Sequence, residues 1–191
     1  PYKLRLWIPT TEGQSGWTPQ VIEFFREPGS QSLDDKLWVE HPDLGQSCDL
    51  AALPLPPEVF ISDQYVLSLE GPCPKLRIAD TVSIIGFPFG KTGRGSRPCW
   101  TTGSIAHEPS QAVEGGAFLT LPDQQLPIYL IDARTRPGQS GAPVWRHTCD
   151  YTSIGRLGRS SLPAVPVLHV DFIGVYSGRV HAESDLGIVW K

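Results

Sequence analysis

The sequence predicts an all-β protein, and three observations lead there. The 191 residues include 19 glycines and 19 prolines, 38 punctuating residues in all. They fall between short segments rich in Val, Ile, Leu, Phe, Tyr and Trp, the residues that suit a pleated, half-buried surface. No segment holds a 3.6-residue apolar period over ten or more residues, so helices are expected to be few and short.

Each expected strand is an apolar run stopped by turn residues. YKLRLWI (2–8) ends at Pro9, and QVIEFF (20–25) lies between Pro19 and Pro28. LWVE (37–40) stops before His41 and Pro42, and LAALPL (50–55) runs into a proline cluster. TVSIIG (81–86) meets Pro88, GSIAH (103–107) meets Pro109, and AFLTL (117–121) sits between Gly116 and Pro122. IYLID (128–132) follows Pro127, and APVWR (142–146) follows Gly141. VLHVDFIGVY (167–176) follows Pro166, and LGIVW (186–190) closes the sequence. A Pro-rich passage over 54–74 separates a first half, 1–57, from a second, 78–191, with 58–77 as the connection. The first half has about four strands, too few to close a barrel, and the second has six or seven.

Composition excludes several functions. With 40% apolar and 19% charged residues the chain is not disordered, and no apolar run reaches the length of a membrane span. A net charge of −4 with scattered Lys and Arg gives no nucleic-acid footprint. The four cysteines, Cys48, Cys73, Cys99 and Cys149, lack metal-ligand spacing. They read as free, mostly buried thiols, which with no visible signal peptide favours a cytoplasmic over a secreted protein. Neither a metal nor another cofactor is implied. The chain starts at Pro1 and contains no Met, so an upstream segment or second chain is expected to complete the first half.

Chemistry concentrates in DARTRPGQSGAPVW (132–145). A nucleophilic serine must stand exposed on a rigid turn beside backbone N–H groups that hold a developing oxyanion. Here Pro137 stiffens the approach to Ser140, and Gly138 is free to adopt a backbone that directs its N–H alongside that of Ser140. Gly141 and Ala142 let the next strand pack closely beneath. A second copy of the tetrapeptide, Gly13-Gln14-Ser15-Gly16, lacks these flanks and reads as a polar hairpin loop.

Six segments in this order resemble the trypsin-like (chymotrypsin-fold) serine peptidases, most closely their bacterial and Deg-type members. CDLAALPL (48–55) is similar to the strand that supplies the triad aspartate, here Asp49. VSIIGFPFG (82–90) and TTGSIA (101–106) resemble the opening strands of the second barrel, and YLIDARTRPGQSGAPVW (129–145) the oxyanion loop and nucleophile. FIGVYSGRV (172–180) and DLGIVW (185–190) resemble the strands that wall the specificity pocket. The resemblance implies two antiparallel β-barrels, the first incomplete at its N-terminal side, and a serine endopeptidase acting on protein or peptide substrates within a larger protein. Ser140 would be the nucleophile, Asp49 the orienting acid, and the N–H groups of Gly138 and Ser140 the oxyanion hole. Ser177 and Gly178 would pair with substrate backbone. Arg134, if it lines the pocket, would select acidic side chains.

The histidine of the triad is not found. His41 lies only eight residues before Asp49, His147 follows Ser140 on the next strand, and His107, His169 and His181 show no partner in sequence. The expected base therefore precedes Pro1; the alternative is an inactive peptide-binding or regulatory relative. Other motifs fail on spacing or context. Gly86 and Gly90 enclose three residues where a phosphate loop needs four. An α/β-hydrolase elbow requires helices that the pattern lacks. Asp34, Asp35, Asp43, Glu183 and Asp185 read as solvated loop charges, and Trp38, Trp145 and Trp190 as packing residues.

Overall fold

The computed structural model describes residues 3–9, 17–26, 32–56, 75–93, 97–111, 113–114, 125–152, 156–157, 160–161 and 165–191. It is mostly β and divides into two compact units, Pro1–Glu70 and Gly71–Lys191.

In the first unit, β1 (Lys3–Pro9) pairs antiparallel with β2 (Trp17–Glu23), and β3 (Val39–Glu40) with β4 (Ala51–Ala52). A short 3-10 turn, Leu33–Asp35, is capped by Ser32, whose hydroxyl accepts the Asp34 N–H. The Phe24 and Phe25 rings meet Trp38 edge-on at centroid distances of 6.3 and 5.4 Å. Together with Ala51 and Leu53 these three rings line an apolar hollow of about 440 Å³. Glu40 bonds both Lys36 (3.0 Å) and the Trp38 indole N–H (3.0 Å), which hold its carboxyl below the usual value. Both β3 and β4 are shorter than the runs 37–40 and 50–55 had predicted. Pro54 and Pro56 follow β4 and have no N–H to continue a ladder.

The second unit contains a closed, six-stranded antiparallel barrel. Its strands are β5 (Thr81–Gly86), β6 (Cys99–Ile105), β9 (Ile128–Ala133), β10 (Pro143–Thr152), β13 (Val165–Arg179) and β14 (Leu186–Trp190), ordered β10–β13–β14–β9–β6–β5. Pairing of β5 with both β6 and β10 leaves no free edge. Two minor hairpins pair β7 (Val113–Glu114) with β8 (Gln125–Leu126) and β11 (Arg156–Leu157) with β12 (Ser160–Ser161). The predicted strand over 117–121 lies outside the described residues.

Inside the barrel, Val82, Ile84, Ile131, Val144, Ile173 and Val189 form the centre of one buried cluster. Each such side chain contributes about 1.5–3 kcal/mol relative to exposure. β6 and β9 approach so closely that a Cβ on Gly103 would lie 2.3 Å from the Asp132 carbonyl oxygen, a position only glycine fills. β6 starts at Cys99, four residues ahead of its expected start, because β5 pairs along its whole length and Gly86 faces Cys99. β13 runs to fifteen residues because β10 pairs with it from Pro143 to Thr152. Between β13 and β14 the register shifts: Tyr176 faces Val189 and Gly178 faces Ile188. Ser177 is thus the extra residue of a bulge, a device that re-aims backbone groups.

Candidate active site

Ser140 lies in residues 134–142, which join β9 to β10. Most backbone donors of this loop are committed. Thr135 N–H donates to the Ala133 carbonyl (2.7 Å), Gln139 N–H to Arg136 (3.3 Å), Gly141 N–H to Tyr176 (2.7 Å) and Ala142 N–H to Gln139 (3.0 Å). Among the described residues, the N–H groups of Gly138 and Ser140 have no acceptor. The Ser140 side chain is exposed, and its hydroxyl donates to the Ser177 carbonyl in the bulge of β13.

The loop keeps this shape through a side chain that no motif singles out. Gln139 is fully buried; its carbonyl oxygen accepts the Arg136 N–H at 2.8 Å and its amide donates to the Thr101 hydroxyl at 2.8 Å. Buried amides keep their bonds because leaving one unmade costs about 1–3 kcal/mol. Thr135 is also fully buried, and its hydroxyl lies 2.5 Å from the Tyr176 hydroxyl. Burial pushes the Tyr176 phenol above its ordinary value, partly offset by the Thr135 bond. Thr101 and Tyr176 sit inside the segments 101–106 and 172–180 noted above, yet nothing in either spacing marks them as loop supports.

A second support comes from the turn after β5. Pro88–Gly90 forms a 3-10 turn in which Phe89 adopts φ 54°, ψ 27°. That left-handed conformation costs a side-chain-bearing residue about 1–2 kcal/mol. Phe89 N–H donates to the Pro137 carbonyl at 2.6 Å. Gly138 has φ 92°, and a Cβ there would stand 2.6 Å from the Phe87 carbonyl oxygen. Glycine at 138 is therefore required twice, by its dihedral and by its neighbour.

The structure thus brings Gly138, Ser140 and Ser177 together, with Gly178 next in chain; Ser177 and Gly178 are both half-buried on β13. Arg134 is exposed at the end of β9, and it is its neighbour Thr135 that turns inward. Asp49 is an exposed residue of the first unit, two positions before the start of β4. Beside it the Cys48 thiol is buried, and burial pushes it up. The second copy of the tetrapeptide, residues 13–16, lies outside the described residues, as does Cys73.

Three of the histidines accept backbone N–H groups. His41 Nδ1 accepts the N–H groups of Asp43 and Leu44, both at 3.2 Å. His107 Nδ1 accepts the Leu130 N–H at 3.2 Å, and His181 Nδ1 the Glu183 N–H at 3.3 Å. The His147 ring packs on Trp100 at 6.0 Å, and His169 is exposed on β13. Among the described residues the Ser140 hydroxyl has one partner, the Ser177 carbonyl. No helix among the described residues is long and apolar enough to cross a membrane. No protein-family model matches the chain, and no curated protein matches it in sequence.

Proposed function

We propose that the protein is a serine endopeptidase of the trypsin-like type with Ser140 as nucleophile. One observation carries the reading: among the described residues the N–H groups of Gly138 and Ser140 are left without acceptors, in a loop where those of Thr135, Arg136, Gln139, Gly141 and Ala142 are committed, beside an exposed hydroxyl. Two uncommitted amides flanking a serine are what a tetrahedral oxyanion requires. Their rigid hold through Gln139 and Phe89 means that little reorganisation accompanies the reaction.

In this mechanism the Ser140 hydroxyl leaves the Ser177 carbonyl by rotation about χ1 and gives its proton to an imidazole as Oγ bonds to the peptide carbonyl carbon. The Gly138 and Ser140 amides hold the oxyanion. The C–N bond then breaks, the amine departs with the proton, and water releases the acid from the acyl-enzyme. Asp49 orients the imidazole, and the substrate backbone pairs with Ser177 and Gly178 as an added strand. His41, His107 and His181 each accept a backbone N–H at Nδ1, and in this proposal the base is supplied by an upstream segment.

Treatment of the full-length protein with a fluorophosphonate probe tests this. Ser140 should be modified and Ser140→Ala should not. An unlabelled Ser140 in protein that still binds peptides would instead mark a non-cleaving, peptide-binding relative of the fold.

A further inference from the structure

The turn after β5 is costly in two ways that its support of the oxyanion loop does not explain. Phe89 holds a left-handed backbone where glycine or asparagine would serve without strain. Phe89 gains little from packing, since it is 62% exposed, and Phe87 is 40% exposed. A backbone brace needs only the Phe89 N–H and the Phe87 carbonyl; it does not need two large, partly exposed side chains. A strained residue fixed beside a reactive group is where function is to be sought.

Position supplies the role. The loop carrying Ser140 is held at both ends: β13 takes Ser140 and Gly141 through the carbonyls of Ser177 and Tyr176, and the Phe turn takes Pro137. The Phe turn meets the loop at Pro137 and Gly138, whereas β13 meets it at Ser140 and Gly141. A peptide paired along Ser177 and Gly178, with its scissile carbonyl at the Gly138 and Ser140 amides, would carry its residues beyond the cut toward Phe87 and Phe89.

Resting on the peptidase reading, we propose that Phe87 and Phe89 form an apolar platform for the leaving-side residues, selecting large apolar or aromatic side chains at the first two positions after the cut. Aromatic faces suit this task because they offer broad, rigid contact.

The test is cleavage-site profiling of the full-length protein on a mixed peptide library, comparing wild type with Phe89→Gly and Phe87→Ser. Wild type should prefer Leu, Phe or Tyr over Ser or Glu on the leaving side by about tenfold or more in kcat/KM, and both variants should flatten that preference. Phe89→Gly should melt at the same or a higher temperature, because glycine accepts the left-handed backbone, so its lost preference is not unfolding. Cleavage indifferent to the leaving residue, or a preference unchanged in both variants, overturns the platform alone. A wild type that neither cuts nor takes up fluorophosphonate overturns the peptidase reading, and the platform with it.

Discussion

The Gln139 amide reaches out of its loop to the Thr101 hydroxyl on β6, 2.8 Å away, while its other end accepts the Arg136 N–H. The residue preceding Ser140 thereby ties the loop to the barrel wall through neutral hydrogen bonds. Replacing it by leucine would keep the volume and strand both partners. Gln139→Leu is expected to lower stability by about 1–3 kcal/mol and to slow fluorophosphonate labelling of Ser140. Denaturant melts and labelling rates read the two effects separately. Labelling at the wild-type rate would show that the loop holds its shape without this latch.

Ser140→Ala should abolish labelling and peptide cleavage in the full-length protein without moving the melting curve, because the side chain is exposed. Asp49→Asn should leave folding intact and reduce kcat by about 10⁴-fold, as loss of an orienting carboxylate does in such triads. Steady-state kinetics on one peptide check both, and an Asp49→Asn enzyme with unchanged kcat would remove Asp49 from the mechanism.

Gly138→Ala meets two obstacles, a φ of 92° and a carbonyl oxygen 2.6 Å from the new Cβ. The loop must move, carrying the Gly138 N–H, the proposed oxyanion donor, with it. A loss of about 10²–10³ in kcat with little change in KM is expected. A substitution that raised KM alone would place Gly138 in substrate binding.

His107 gives the fold a pH dependence. Burial, chiefly, holds its imidazole below the ordinary 6.5, and its Nδ1 is occupied by the Leu130 N–H. The unfolded chain takes up the proton first, so the stabilisation is complete above about pH 6.5 and is lost as pH falls through the lower folded value. His107→Asn keeps an acceptor but does not titrate, and melting temperatures between pH 5 and 8 should be flatter for this variant than for wild type.

Apolar runs with clear stops made the barrel legible. Thr81–Gly86 and Leu186–Trp190 match their expected bounds because valine and isoleucine fill them and glycine or a charged residue ends them. The apolar pattern stops short of the full β6 because the polar Thr101 and Thr102 carry no inward alternation and Trp100 is 60% exposed; pairing with β5 extends the strand. The loop around Ser140 was legible as chemistry through Pro137, Gly138 and the small residues after it. Its supports were not, since Gln139 has an identical counterpart in Gln14, and the Thr101 and Tyr176 contacts are long-range. Phe89 carries no signal in the sequence because a φ value leaves no trace in composition.

The bulge at Ser177 has a practical consequence for anyone mapping this protein by mutation. The group that receives the Ser140 hydroxyl belongs to the main chain, so no amino-acid exchange at position 177 deletes it, and a saturation library would pass over it in silence. Its contribution becomes visible only by altering the chain itself, for example by excising one residue from β13 to erase the bulge, or by installing a backbone ester that weakens that single carbonyl as an acceptor.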